Sequence, residues 1–366
     1  MTDRRDRTAL YDLTYDELAE LLRGWGEPRF RADQLWHWLY RSLAGDFESM
    51  TNLPAGLRER LKAETDLEMV TPLATEESLT GQTRKVLFAL RDGTTIESVL
   101  MDYYDRTTVC ISTQAGCGMG CTFCATGQGG LVRNLSAGEI VAQVIYFART
   151  LREEQIERAN QAGEQAELPA HPVSNIVLMG MGESLANYDA TWQAIETLAD
   201  DRGYNLGARH ITLSTVGLVP GIRRLAGEGL PINLAVSLHA PDDELRSRLV
   251  PVNRRYPIAE LMSSVREYID ATGRRVTFEY ALIAGVNDSA EQARALARLL
   301  DGLLAHVNLI PLNPTPGSDL EPSPREQVEA FGRVLHEAGI PTTVRMRRGI
   351  DIEAGCGQLR RRYSGS

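Results

Sequence analysis

Cys117-Gly118-Met119-Gly120-Cys121-Thr122-Phe123-Cys124 packs three thiols into eight residues at the spacing C-x3-C-x2-C, and the chain's only other cysteines are Cys110 and Cys356. Soft thiolates select iron–sulfur clusters, zinc or copper(I). A structural zinc site closes a tetrahedron with four ligands, typically two C-x2-C pairs or two cysteines and two histidines. Here three thiols share one loop and have no paired partner. Three cysteines would hold three irons of a [4Fe–4S] cluster and leave the fourth iron open to an exogenous ligand.

Outward from that loop the chain alternates strand, loop and helix. Thr107 to Ser112, carrying Cys110, is expected as the strand before the cysteines, and Ser136 to about Leu151 as the helix after them. Short apolar runs at Val173 to Met179, His210 to Thr215, Ile232 to Leu238, Arg275 to Ile283 and Ala305 to Ile310 predict five further strands. Amphipathic stretches such as Ile258 to Thr272 and Ala290 to Leu304 separate them. Six parallel strands with intervening helices predict an α/β fold, a partial (β/α)6 barrel open enough for a large substrate. Glu153 to Glu167 is polar and acidic and reads as a surface insertion or long loop.

Upstream the pattern differs. Thr14-Tyr15-Asp16-Glu17 is a capping-box sequence ahead of Leu18, Leu21, Leu22 and Trp25. Arg31 to Ser42 predicts a second helix, crowded with Trp36, Trp38 and Tyr40, and a third runs from about Ala55 to Thr65. Arg23, Arg29, Arg31, Arg41, Arg58, Arg60 and Lys62 interleave with these aromatics, a combination that can build an RNA platform. An aromatic core under a solvated basic face is the plainer reading of the same residues. From about Thr83 the period is two, and Lys85 to Leu90 and Thr95 to Leu100 flank the turn Arg91-Asp92-Gly93-Thr94 as a β-hairpin. Glu97 shares a strand face with Thr95 and Val99, which by itself describes a solvated strand glutamate. The expected division is a helical RNA-binding domain (1–75), a β-hairpin linker (76–102), the core barrel (103–349) and a C-terminal segment (350–366).

Composition sets the outer limits. The 366 residues are 43% hydrophobic and 24% charged, the balance of an ordinary globular protein. The charged start, Met1-Thr2-Asp3-Arg4-Arg5-Asp6-Arg7, lacks the apolar centre of a signal peptide, and no apolar run approaches membrane-spanning length. Five cysteines, three of them clustered, fit a reducing compartment better than a disulfide framework, so a cytoplasmic location is expected. A net charge of −10 argues against a generally adhesive polyanion binder. The last 26 residues nevertheless carry Arg345, Arg347, Arg348, Arg360, Arg361 and Arg362 against Asp351 and Glu353, a basic tail in an acidic protein.

The cysteine spacing resembles the signature of radical S-adenosylmethionine (SAM) enzymes, whose open iron chelates the amino and carboxylate groups of SAM. In β/α barrels function gathers where strands end and loops begin. Gly182-Glu183 follows the second strand, and Glu183 is placed to accept from the SAM ammonium or ribose, with glycine allowing close backbone approach. Ser214 ends the third strand, Ser237-Leu238-His239 the fourth and Asn313 the sixth, so these polar positions are expected at one barrel mouth.

The chain as a whole resembles the RlmN family of radical-SAM adenine-C2 RNA methyltransferases. The resemblance is carried by Gly93-Thr94-Thr95-Ile96-Glu97, Cys110-Ile111-Ser112-Thr113-Gln114-Ala115-Gly116-Cys117, Arg133-Asn134-Leu135-Ser136-Ala137-Gly138-Glu139-Ile140, Met179-Gly180-Met181-Gly182-Glu183, Ala235-Val236-Ser237-Leu238-His239-Ala240, Phe278-Glu279-Tyr280, Val307-Asn308-Leu309-Ile310-Pro311, Arg348-Gly349-Ile350-Asp351-Ile352 and Cys356-Gly357-Gln358-Leu359. Two positions depart from it: Ser184 stands where proline is expected, and Gly355 stands where alanine is expected, a change that would loosen the loop carrying Cys356.

The resemblance implies a role for every cysteine. Cys117, Cys121 and Cys124 would hold the [4Fe–4S] cluster, and Gly182, Glu183, Ser214, Ser237, Leu238, His239 and Asn313 would bind SAM. Adenine C2 has no lone pair and its proton is not acidic, so it cannot attack the methyl group of SAM directly. In the family one SAM methylates the C-terminal cysteine, here Cys356, by displacement. A second SAM, cleaved reductively, gives a 5′-deoxyadenosyl radical that takes hydrogen from the S-methyl group, and the resulting carbon radical adds to C2. Glu97 would take the C2 proton, and Cys110 would attack the Cys356 sulfur, forming a disulfide and releasing the methylated base. Implied partners are large-subunit rRNA, tRNA beside the anticodon, and a flavodoxin or ferredoxin electron donor; a monomer without membrane contact is expected. Two rival readings remain: the related adenine-C8 rRNA methyltransferases, which share all five cysteines, and a non-catalytic iron–sulfur RNA-binding protein.

Overall fold

The structure, a computed structural model, describes residues 7–169, 171–315, 318–345 and 348–359. Arg347 and the basic triplet Arg360-Arg361-Arg362 therefore lie outside the described residues.

At the start of the chain, β1 (Thr8–Ala9) pairs in parallel with β2 (Thr65–Asp66), tying off a unit of three helices, α1 (Tyr15–Gly24), α2 (Phe30–Tyr40) and α3 (Ala55–Glu64). The capping box forms as read. Thr14 accepts from the Glu17 N–H and the Glu17 carboxylate accepts from the Thr14 N–H, satisfying two donors that α1 would otherwise leave open. The α2 aromatics are core. Trp36 and Tyr40 are buried with ring centroids 4.4 Å apart, and Tyr11 meets Tyr40 edge-on at 5.6 Å. Several of the basic residues are engaged locally, Arg60 with Glu64 at 2.8 Å and Lys62 with Glu48.

Ten strands form the main sheet. An antiparallel wing of β3 (Val70–Glu77), β4 (Thr83–Leu90) and β5 (Thr95–Asp102) leads into β6 (Thr107–Cys110), which pairs antiparallel with β5. A small antiparallel pair, β7 (Gln114–Gly116) and β8 (Leu131–Asn134), frames the cysteine loop and the short helix α4 (Ala125–Gln128). The parallel ladder then runs from β6 through β9 (Asn175–Leu178), β10 (Ile211–Thr215), β11 (Asn233–Ser237), β12 (Val276–Leu282) and β13 (Ala305–Pro311) to β14 (Thr342–Val344). Helices α5 (Ala137–Ala162), α6 (Tyr188–Ala199), α7 (Val219–Leu225), α8 (Asp243–Leu249), α9 (Ile258–Thr272), α10 (Ala290–Leu300) and α11 (Arg325–Glu337) lie between the strands. All six expected parallel strands are present. The ten-stranded sheet is open, with β14 and β3 as its two edges.

Three features differ from the sequence reading. The hairpin is three-stranded, because β3 joins it as the sheet edge. After Val70 every residue of β3 is exposed, and a register shift falls between Pro72 and Ala74. Proline and an exposed, charged face suit an edge strand and erase the alternation that marks a strand in sequence. Secondly, β14 adds a seventh parallel strand from three mostly exposed residues. Thirdly, the expected acidic loop is largely helix, since α5 runs on to Ala162. Its last turns are strong helix formers, and Glu154 pairs with Arg158 at 3.5 Å and with Arg84 at 2.7 Å.

The same helix docks the N-terminal unit on the barrel. Gly138 N–H donates to Asp12 Oδ1 at 2.7 Å, Arg149 to the carbonyls of Leu43 and Ala44 at 3.0 and 2.9 Å, and Arg152 to that of Ser42 at 2.8 Å. Among the described residues no helix is long and apolar enough to cross a membrane.

Candidate active site

The cysteine loop is fixed by backbone bonds. Cys117 N–H donates to Gly130 O at 3.0 Å, Thr122 N–H to Leu249 O at 3.1 Å and Cys124 N–H to Cys121 O at 3.2 Å. Cys117 and Cys121 are buried and Cys124 is half-buried. Burial pushes the Cys117 thiol up to about 11 and Cys121 higher still, and the charge of Cys124 adds to both. Three thiols in each other's electrostatic range ionise together only around a cation. Among the described residues no three His, Cys, Asp or Glu side chains are grouped closely enough to hold one metal ion. A cluster takes one thiolate per iron, so three thiols can serve three of its four irons. The donor set therefore fits a [4Fe–4S] cluster.

Beside the loop lies a cavity of about 150 Å3. Cys121 and Cys124 line one side and Gly182, Glu183, Ser214, Ser237, His239 and Asn313 the rest, with Cys356 reaching in from the C-terminal segment. Leu238 is the exception. Its side chain sits in the apolar core, and its backbone N–H donates to Glu279 O at 3.0 Å.

Each lining residue is held by its neighbours. Gly182 has φ +108, and a Cβ there would stand 2.6 Å from Gln114 Cβ, so only glycine lets the turn close on β7. That closure allows Glu183 N–H to donate to Gln114 Oε1 at 2.9 Å. The Glu183 carboxylate accepts from Val216 N–H at 2.8 Å and Leu185 N–H at 3.2 Å, while burial lifts it to about 7. Ser184 is buried at the first position of a 3-10 turn, a place where the fixed φ of proline would also fit. His239 has φ +59, a conformation that is costly outside glycine. Its Nδ1 accepts from Ala281 N–H at 3.0 Å, its ring meets Phe123 edge-on at 4.8 Å, and burial pulls it down to about 3, so the imidazole stays neutral.

The C-terminal segment closes over this ring. Ala125 N–H donates to Gly357 O at 2.7 Å, Thr126 Oγ1 to Leu359 O at 2.6 Å, and Asn313 Nδ2 to Cys356 O at 3.1 Å. Gly355 does more than loosen the loop. A Cβ there would stand 2.7 Å from both Asn313 Nδ2 and Gln358 Oε1, so the glycine gives those amides the room in which they hold the segment. Cys110 and Cys356 share a second small cavity with Asn313 and Arg345. Burial, reinforced by the charge of Cys356, pushes Cys110 up to about 12, and Arg345 opposes it. Both cysteines are free thiols, so the implied disulfide is not formed in this structure.

The model for the ribosomal RNA large subunit methyltransferase N-terminal domain matches residues 8–67, and that for the radical SAM superfamily matches residues 111–297. A Chloroflexus aurantiacus protein named "probable dual-specificity RNA methyltransferase RlmN" is 56% identical over 365 residues, which cover 98% of this chain and 94% of that one. A Roseiflexus protein of the same name is 53% identical, covering 96% and 95%. The chain belongs to the RlmN family. A crystal structure of a radical SAM methyltransferase from Sphaerobacter thermophilus, 54% identical, matches with a TM-score of 0.89 over 96% of this chain and 99% of that chain.

Like Leu238 and Cys117, Glu97 lies outside the lining of both cavities. It is buried on β5, its N–H donating to Met181 Sδ at 3.4 Å and its carboxylate 3.7 Å from Lys85 Nζ. Alternation puts it on the strand face of Val99, which pairs directly with Cys110, and of Met101, which lines the cavity of the two cysteines.

Sequence reasoning missed two buried polar groups. Gln143 on α5 accepts from Ser98 Oγ and Ser112 N–H and donates to Ser112 O, and Ser112 Oγ in turn donates to Glu97 O and accepts from Met181 N–H. This network locks β5, the strand before the cysteines and the Gly180-Met181-Gly182 turn together. Arg246 on α8 is fully buried and donates to the carbonyls of Val216, Ser237 and Leu238 and to Asn253 Oδ1. It pins the loops after β10 and β11. A polar residue inside an otherwise apolar helix face, such as Gln143, was the available signal; Arg246 had none.

Proposed function

We propose that the protein methylates C2 of an adenosine in RNA, in large-subunit rRNA and in tRNA, through a methylated cysteine. The observation that carries this reading is the meeting of Cys356 and Cys110 in one cavity, directly beside the cysteine loop and the ring of strand-end residues. Cys117, Cys121 and Cys124 would hold the [4Fe–4S] cluster, which would supply the electron for reductive cleavage of SAM.

The chain's own groups do the rest. Glu183 accepts hydrogen bonds from the SAM amino group, while Ser214, Ser237, His239 and Asn313 orient the cofactor and exclude water. Cys356 acts first as nucleophile toward a methyl group, then as the carrier whose S-methyl carbon, after losing hydrogen, bonds to C2. Glu97, 3.7 Å from Lys85 Nζ, takes the C2 proton. Cys110 then attacks the Cys356 sulfur, so that the S–S bond forms as the bond from that sulfur to the methylene carbon breaks; that carbon takes a proton from solvent to become the methyl group, and the one surplus electron would pass to the bound cluster. Cys110 is pushed up by burial, and the half-buried Arg345 guanidinium, which the charges of Cys356 and Glu279 hold protonated, favours its thiolate. Electrons come from a flavodoxin or ferredoxin type of donor, in a monomer working in the cytoplasm.

The test is anaerobic incubation of reconstituted protein with SAM, reductant and RNA, followed by mass spectrometry of the nucleosides. The expected product is 2-methyladenosine. 8-Methyladenosine alone would move the protein to the C8 enzymes, and a cluster indifferent to SAM would make it non-catalytic.

A further inference from the structure

Beneath the reactive pocket the barrel is hollow. A cavity of about 960 Å3 lies inside the parallel ladder and shares Met179, Glu279 and Arg345 with the reactive pocket, so the two are continuous. Its walls are small polar side chains near the N-terminal ends of successive strands: Thr108 on β6, Asn175 on β9, Thr212 on β10, Asn233 on β11 and Thr277 on β12. A closed β/α barrel fills this volume with branched apolar residues. Here the lining suits a polar ligand of roughly 300–1,000 Å3 pocket size, the scale of a nucleotide.

The lining is also strongly cationic. Arg106, Arg274, Arg275, Arg345 and Arg348 face the cavity, and among the described lining residues Glu279 is the sole carboxylate, itself bonded to Asn308 Nδ2 at 2.8 Å. Arg106 also reaches Asp105 at 3.2 Å on the exposed surface, a pairing that water leaves weak. At the rim the Tyr103 ring has the Arg106 guanidinium 4.4 Å and the Arg348 guanidinium 4.2 Å from its centroid. Positive charge tracking a groove, with an aromatic platform at its entrance, is how single-stranded nucleic acid is held without reading sequence. On the other side the C-terminal segment is bonded across the cysteine loop, which closes that approach.

We infer that RNA reaches the reactive pocket through this lumen, from the N-terminal ends of the strands. The target nucleotide, turned out of its stack, enters the cavity, its base or a neighbour stacks on the Arg348 guanidinium that Tyr103 carries, and the flanking phosphates lie on Arg106 and Arg275, since Arg274 is tied to Ile232 O and Asn233 Oδ1. The inference rests on the RNA methyltransferase reading and adds the route and the groups that bind the strand; the helical unit at residues 8–67 would contact the rest of the RNA.

The test is the affinity of a fluorescein-labelled RNA stem–loop with an unpaired adenosine, measured against salt for the cluster-loaded protein. Arg106→Ala/Arg275→Ala is expected to weaken binding about tenfold per lost phosphate contact and to flatten the salt slope by about 0.7 for each. SAM affinity without RNA serves as the folding control. Tyr103→Ala should weaken binding while Tyr103→Phe preserves it. If a variant fails to fold, 4-thiouridine cross-linking of the unaltered protein decides the matter: cross-links at Tyr103 or Arg275 support the lumen, and cross-links confined to residues 8–67 overturn it. Unchanged affinity and slope in the double variant, with RNA bound normally by the parent, sink the lumen route and leave the methyltransferase reading standing. If the parent neither binds nor methylates the RNA, both fall together.

Discussion

Arg246→Met is the perturbation whose size the structure sets most directly. Arg246 is fully buried, and its four hydrogen bonds, at 2.6 to 3.1 Å, end on Val216 O, Ser237 O, Leu238 O and Asn253 Oδ1. Burial pulls the guanidinium down to about 10, so it remains charged at neutral pH, with Cys121 and Asp243 opposing the pull. Methionine fills similar space but leaves four acceptors unmet, each costing about 1–3 kcal/mol. Relief from burying a charge offsets several kcal/mol of that. The expected net loss is about 3–5 kcal/mol, the range seen when one member of a buried charged arrangement is removed. Unfolding entropy of about 2.1 cal/mol/K per residue gives a chain of this length roughly 0.8 kcal/mol/K, so Tm should drop by about 4–7 °C. Val216 and Ser237 both line the reactive cavity, so SAM affinity should weaken as well. Arg246→Lys, a point charge without the fork, should fall between. Calorimetry or circular dichroism gives Tm, and titration calorimetry gives SAM binding. A melting point within scatter of the parent together with unchanged SAM affinity would refute the assignment of Arg246 as the pin of these loops.

SAM binding is expected to depend on pH through Glu183. Burial raises its carboxyl above the unfolded value to about 7, so the folded state retains a proton that the unfolded chain gives up, and stability declines as pH rises through that window. Accepting hydrogen bonds from the SAM amino group needs the carboxylate, so affinity should weaken about tenfold per pH unit below 7, and Glu183→Gln should abolish the slope in a titration across pH 5.5 to 8 (roughly the range spanning that midpoint). Cys356→Ala should bind SAM yet give neither methylated protein nor methylated RNA. Cys110→Ala should methylate Cys356 and then accumulate a covalent protein–RNA adduct, visible as a nuclease-sensitive shift on a denaturing gel; release of methylated RNA at the parental rate would show Cys110 to be a bystander. Gly182→Ala, forced against Gln114 at φ +108, should lose SAM binding while the three cysteines still take up iron, as judged by absorbance near 400 nm (approximately, for thiolate-bound clusters).

How much of this could be read from the sequence depended on whether the determining interactions were local. The cysteine spacing and the capping box of Thr14 and Glu17 are statements about near neighbours, and both hold their form in the fold. The strand-end residues were legible because apolar runs fix where parallel strands stop, and Glu183, Ser214, Ser237, His239 and Asn313 do converge. Arg246 was opaque because nothing local separates a buried arginine from a solvated one; its partners come from two loops and a turn. The same holds for β3, whose exposed face gives no pattern without its partner β4. The lumen is the instructive case, because its signal was present. Parallel strands covered on both faces read as unbroken apolar runs, whereas Ile211-Thr212-Leu213-Ser214-Thr215 alternates, with Thr212 and Ser214 only half-buried between buried neighbours. His306 and Asn308 repeat the pattern on β13, and on β12 the polar Thr277 and the buried Glu279 alternate with Phe278 and Tyr280. Its strand delivers Ser214 to the mouth, and Thr212 shares that face two positions earlier and lines the cavity below. Alternation inside strands that should be apolar throughout is the mark of a barrel left hollow, and it lines with polar side chains the cavity that adjoins the pocket of Cys110 and Cys356.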